Sequence, residues 1–99
     1  MNITIQSVRF TASAQLEEFI QQKVGKLDQF FDGIVSAEII LRLDKSDSTE
    51  NKVAEININI PGNELFAKKQ TKTFEESVDL AVDALRKQLI KWKEKVRAK

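Results

Sequence analysis

The sequence predicts an α+β fold: one βαβββα domain with a four-stranded sheet and two helices on one face of it. Three observations carry this reading. Two long segments repeat apolar residues at the period of a helix. Four shorter segments alternate apolar and polar residues at the period of a strand. The outward strand positions are polar and each helix has a single apolar stripe, so only one sheet face should be covered.

Asn2 to Phe10 reads as the first strand. Ile3 and Ile5 point one way, whereas Val8 and Phe10 also look buried but are out of phase with them. A bulge near Gln6 and Ser7 would reconcile the two pairs. Ser13 caps a helix running to about Phe31, with Leu16, Phe19, Ile20, Val24, Leu27, Phe30 and Phe31 on its apolar face. Gly33 is its C-cap residue. Gly25 lies inside this helix, where a glycine costs stability, and a close approach of the second helix would account for it.

Ala37 to Leu43 is a strand with Ala37, Ile39, Leu41 and Leu43 inward. Lys45 to Lys52 is a polar loop without an apolar anchor and is expected to be mobile. Val53 to Ile60 alternates most cleanly, with Ala54, Ile56, Ile58 and Ile60 on one side. Pro61-Gly62-Asn63 is a turn. Glu64 to Gln70 is the fourth strand, with Leu65 and Ala67 inward and Phe66 outward beside Lys68. The crossover through a helix implies a parallel, right-handed pairing of strands one and two, and the rest form an antiparallel meander.

Thr73 to Lys99 is the second helix. Phe74, Val78, Ala81, Val82, Leu85, Leu89, Trp92 and Val96 fall on one stripe about 100° wide. Thr73 is its N-cap and Glu76 stands where a capping-box partner belongs. Acids come early (Glu75, Glu76, Asp79, Asp83). Arg86, Lys87, Lys91, Lys93, Lys95, Arg97 and Lys99 come late, with only Glu94 among them. Complementing the helix dipole needs one or two such cations, not seven. Lys87, Lys91 and Lys95 form a row on one side of the stripe, and Arg86, Lys93 and Arg97 form a row on the other.

The 99 residues, 41% of them hydrophobic, suit a single domain, here residues 1–99. There is no cysteine and no histidine. That removes disulfides, thiolate chemistry, the common zinc sites and histidine general bases. The stretch Asp44 to Glu50 lacks the glycine and spacing of a calcium loop, and the Pro61 turn is too short to cradle a phosphate. No enzyme, cofactor or metal is expected. No apolar run reaches the length of a membrane span and the N-terminus lacks the pattern of a signal peptide, so a soluble, cytoplasmic protein is expected.

Net charge is only +1, but the chain is strongly basic from Arg86 onward. Lysines and arginines on helices lying side by side can track phosphates, whereas the sheet face lacks the exposed aromatics of a base-reading sheet. Lys23 has two readings. It sits at the centre of the first helix's apolar arc, so its methylenes cover the core, or it lines a groove between the helices with Lys26 beside it.

The chain resembles the ribosome hibernation-promoting factor and ribosome-associated inhibitor family along essentially its whole length. Met1-Asn2-Ile3-Thr4-Ile5 is similar to the family's first strand, and Lys23-Val24-Gly25-Lys26-Leu27-Asp28 to its basic helix end. Thr73-Phe74-Glu75-Glu76-Ser77-Val78-Asp79 takes the place of its Asp-Met-Tyr-x-Ala-Ile-Asp segment, with Thr73 and Glu75 departing from it. Gln88-Leu89-Ile90-Lys91-Trp92-Lys93-Glu94-Lys95 resembles its Gln-Leu-x-Lys-x-Lys-x-Lys ending.

The resemblance implies a fold like a double-stranded RNA-binding domain. It also implies binding to the small ribosomal subunit and its RNA, in competition with mRNA and tRNA, inhibiting translation and preserving idle ribosomes. By position it assigns RNA contacts to Lys23, Lys26, Lys87, Lys91 and Lys95. Lys93 matches the motif but lies on the opposite flank. Long family members add a C-terminal dimerisation domain; this chain matches the short form, expected to be a monomer in isolation. Two other readings are a general double-stranded RNA-binding domain and a protein-interaction domain using the basic helix end.

Overall fold

The computed structural model describes residues 1–45 and 49–97. Strand β1 spans Asn2–Ser7, helix α1 Ala14–Gly25, and a 3-10 turn Lys26–Gln29. Strands β2 (Ser36–Leu43), β3 (Lys52–Ile60) and β4 (Asn63–Thr71) follow, then helix α2 (Phe74–Arg97). The sheet order is β1-β2-β3-β4. β1 pairs in parallel with β2, and the other two pairings are antiparallel.

Both helices cover one sheet face. α2 lies over β3 and β4, while α1 packs on β1 and beside α2. Ile20, Val24 and Leu27 meet Ile39, Leu41, Ile56, Ile58, Val78, Leu85 and Leu89 in one fully buried core. Trp92 is half-buried against it. The opposite face carries the polar strand positions, and Phe66 stands on it 52% exposed. Val53 also belongs to that open face, yet it is fully buried. It sits in register between Arg42 and Gln70, whose long side chains flank it.

The phase change after β1 is not a bulge. Asn2 to Ser7 run in unbroken register against Ser36 to Leu41. The chain switches faces beyond the strand, at Arg9, whose φ is 67°. Val8 N–H still donates to Leu41 O at 2.9 Å, and Phe10 then stacks on Phe74 with centroids 4.9 Å apart.

Ser13 caps α1, its Oγ accepting from Leu16 N–H at 3.1 Å. The helix tightens into the 3-10 turn after Gly25 rather than running unchanged to Phe31. Gly33, at φ 98°, reverses the chain after it. Gly25 is not explained by a close approach of α2, because a Cβ there would meet nothing within 4 Å. Side chains, not backbones, bridge the two helices at this point.

Two apolar residues expected inward are exposed: Leu43 at 46% and Val96 at 51%. β1 ends at Ser7, opposite Leu41, so Leu43 has no neighbouring strand on that side. Val96 is in the last turn of a 24-residue helix, about 36 Å long, which outruns the nine-residue strands of about 30 Å below it.

Part of the loop expected to be mobile, residues 46–48, lies outside the described residues. Its base is held: Asp44 N–H donates to Asn51 O at 2.8 Å, and Gln70 Nε2 donates to Asp44 Oδ2 at 3.1 Å and Glu50 O at 2.9 Å. At the start of α2, Thr73 Oγ1 accepts from Glu76 N–H at 3.0 Å. The reciprocal bond of a capping box is replaced by Thr73 N–H donating to Thr71 Oγ1 at 3.3 Å. Ser77, fully buried, donates to Lys52 O at 2.7 Å and lies 2.8 Å from Thr71 Oγ1, tying α2 to β3 and β4.

Candidate nucleic-acid interface

The cations of α2 are sorted by its helical period. With Leu85 and Leu89 on the sheet, residues at 100° steps place Arg86, Lys93 and Arg97 on one flank and Lys91 and Lys95 on the other, with Lys87 near the crest. The contacts identify the flanks. Gln88 Nε2 donates to Phe66 O of β4 at 3.0 Å, so the Lys91 and Lys95 side faces the β4 edge. Arg86 lies over the Phe30 ring, 5.9 Å from its centroid, so the other flank faces α1 and its 3-10 turn.

A groove of about 210 Å³ runs between the helices, lined by Lys23, Lys26, Phe30, Asp79, Asp83 and Arg86 among others. A second hollow of about 270 Å³ continues it past Phe30 to Ile90, Lys93 and Arg97. The structure therefore brings Lys23, Lys26 and Lys93 to one side of the α2 ridge and leaves Lys91 and Lys95 on the other. Lys93 joins the α1 lysines, and the Lys87 row does not.

These cations are not equally available. Lys23 Nζ lies 3.0 Å from Asp79 Oδ1 and 5.7 Å from the Phe19 centroid. Lys23 lines the groove, and an acid of the neighbouring helix already meets its charge. Asp83 takes Arg86 at 2.8 Å and Lys87 at 3.3 Å. The Asp83 carboxyl is held below its ordinary pKa, first by the hydrogen bond from Arg86 and then by that from Lys87, so it stays ionised at neutral pH. Among the described residues no ion pair involves Lys26, Lys91, Lys93, Lys95 or Arg97. The ridge thus becomes more cationic toward its C-terminal end.

Sequence reasoning left two kinds of residue out of this site. Asp79 and Asp83 set which lysines are neutralised; they read as dipole-complementing acids, although Asp83 is at i, i+4 spacing from Lys87. Arg86 and Arg97 were visible as a row with Lys93, but nothing in the sequence said that this flank faces Phe30. Among the described residues no group of histidine, cysteine or acidic side chains could hold a metal ion. None of their helices is long and apolar enough to cross a membrane.

Residues 3–97 match the model of a protein family described as Sigma 54 modulation protein / S30EA ribosomal protein. The chain belongs to that family. It is 31% identical over 97 residues to the ribosome hibernation promoting factors of Klebsiella oxytoca and Escherichia coli K12, covering 98% of this chain and 96% of each of those proteins. It is 29% identical to the ribosome hibernation promotion factor of Bacillus subtilis, of whose length it spans 52%. A ribosomal subunit interface protein from Coxiella burnetii superposes with a TM-score of 0.85 at 26% identity, covering 95% of this chain and 99% of that one. The N-terminal domain of Thermus thermophilus Protein Y shares the fold, with a TM-score of 0.81 at 24% identity over 93% of this chain and 99% of that one. The family's four-stranded sheet with two helices on one face is the fold expected from the sequence.

Proposed function

We propose that this protein is a ribosome hibernation factor. It binds the small ribosomal subunit in the channel used by mRNA and by A- and P-site tRNA, blocks initiation, and preserves idle ribosomes in the cytoplasm. The observation that carries the RNA contact is the cationic C-terminal half of α2, where Lys91, Lys93, Lys95 and Arg97 have no ion-pair partner among the described residues. Such a ridge on a rigid domain suits phosphate backbone, whose contacts fix position without reading sequence. The block is steric: the folded domain occupies the channel, and the cations hold it there. Lys26 extends the contact surface across the groove, while Lys23 reaches RNA only by exchanging Asp79 for a phosphate.

Co-sedimentation with purified small subunits, large subunits and isolated duplex RNA tests this. The expected result is saturable binding to small subunits that mRNA with initiator tRNA displaces and excess duplex RNA does not. Displacement by duplex RNA would make the chain a general double-stranded RNA binder. Binding that survives removal of the ribosomal RNA would make it a protein-interaction domain.

A further inference from the structure

At the carboxyl end of β1 the chain makes a turn whose geometry and sequence disagree. Arg9 has φ 67°, the one positive value among the described non-glycine residues. The left-handed region is disfavoured for side chains of this kind, and asparagine or glycine adopts it far more readily. The conformation is imposed from both sides: Val8 N–H is bonded to Leu41 O, and Phe10 is stacked on Phe74. The turn itself therefore favours another residue. Among the described residues nothing uses the guanidinium either: Arg9 is exposed and makes no ion pair or side-chain hydrogen bond with them. A strained residue carrying an unused charge points to a role outside the fold.

The surroundings indicate the ligand. Arg9 borders a hollow of about 540 Å³ with Val8, Arg42, Leu43, Asp44 and Lys45. Arg42 is held upright there by Glu55, Nε to Oε2 2.7 Å, and Lys45 is exposed. Asp44 is the acid of the hollow, and its Oδ2 accepts from Gln70. Three cations border the hollow; Glu55 already meets the Arg42 charge, so Arg9 and Lys45 carry the attraction for an anion, and the guanidinium fork of Arg9 suits a phosphate group. The half-exposed Leu43 beside them suits the apolar face of a sugar.

We propose that this hollow is a second RNA-phosphate contact, with Arg9 as its principal cation. The proposal rests on the ribosome-binding reading above and adds a site to it. The Phe10–Phe74 stack places Arg9 near the start of α2, whereas Arg97 ends that helix about 36 Å away. Two phosphate contacts at opposite ends of one rigid domain fix its direction along the RNA, which one cationic ridge does not.

Arg9→Asn and Arg9→Lys test this, with thermal melting and with binding to purified small subunits across a KCl series. Asparagine relieves the turn and removes the charge; lysine keeps both the strain and the charge. Arg9→Asn should raise the melting temperature by about 2–6 °C. It should also weaken binding at least threefold near 0.1 M KCl and lower the magnitude of the log–log salt slope by roughly 0.7–0.9. Arg9→Lys should keep the parental slope. A more stable Arg9→Asn protein with unchanged affinity and slope overturns the proposal, and a lowered melting temperature overturns it too by making Arg9 structural. If changing Lys87, Lys91 and Lys95 to alanine weakens binding while Arg9→Asn does not, only the second contact falls. If the parent protein does not bind small subunits, the underlying reading falls with it.

Discussion

Lys23 of α1 and Asp79 of α2 approach to 3.0 Å and close one end of the groove between the helices. Their side chains are 35% and 58% exposed, so solvent screens the pair and it is worth about 0–1 kcal/mol. The stem of Lys23 contributes separately, because Lys23 stands on the apolar arc of α1, half-buried, with its Nζ 5.7 Å from the Phe19 centroid, and a lysine stem so placed covers apolar surface. Lys23→Met should therefore change unfolding free energy by no more than about 1 kcal/mol. Lys23→Ala should cost about 1 kcal/mol more, because it also removes the stem. Urea titrations of the two variants check this. An equal loss in both would assign the effect to the charge.

Asp83 offers a change in the opposite direction. Its carboxylate neutralises Arg86 and Lys87, so Asp83→Asn frees two cations beside the proposed RNA contact. Affinity for small subunits should rise about two- to fivefold at low salt and return toward the parental value above roughly 0.5 M KCl. The pH dependence has a defined sign. The folded-state pKa is lowered, so the stabilisation by Asp83 is complete above its ordinary value of 3.8 and is lost as pH falls through the lower, folded value. Acid unfolding of Asp83→Asn should accordingly lack that component, as circular dichroism between pH 2 and 5 would record.

Gly25 can be improved upon. It has ordinary helical φ of −59° and open space where a Cβ would stand. Gly25→Ala should stabilise the protein by about 0.5–1 kcal/mol through helix propensity and a less flexible unfolded chain. Chemical denaturation measures it. No gain would mean that the passage from α1 into the 3-10 turn needs glycine.

Much of the fold was legible because local signals agreed with one another. Ile56, Ile58 and Ile60 alternate with asparagines, and Thr73 and Ser13 cap helices whose stripes begin directly after them. What was not legible depended on partners distant in sequence. Val8 and Phe10 announced a change of face, but only the fixed ends of the turn placed it at Arg9. Ser77 looks like a flank residue of α2 and is buried because β3 presents the Lys52 carbonyl to it. Leu43 and Val96 fit their periodic patterns and are exposed because the elements covering or underlying them end first. For the candidate interface, the helical period separated Lys93 from the Lys87, Lys91 and Lys95 row. Which flank faces α1 was decided by tertiary packing, through Phe30 and Gln88.

We propose that the cationic ridge of α2 holds the protein on ribosomal RNA, and the salt dependence of binding isolates that contact. Each phosphate contact releases condensed counterions, so losing the two contacts of Lys91 and Lys95 should lower the magnitude of the log–log slope by roughly 1.4–1.8, with Lys87 adding little because Asp83 already meets its charge. Changing Lys87, Lys91 and Lys95 together to alanine should alter stability by no more than about 0.5 kcal/mol per site, because all three are exposed. The deciding measurement is the affinity of this triple variant for purified small subunits across a KCl series, beside that of the parent. A loss of at least tenfold near 0.1 M KCl with the shallower slope is the expected result. Unchanged affinity and slope would mean that the ridge is not the RNA contact.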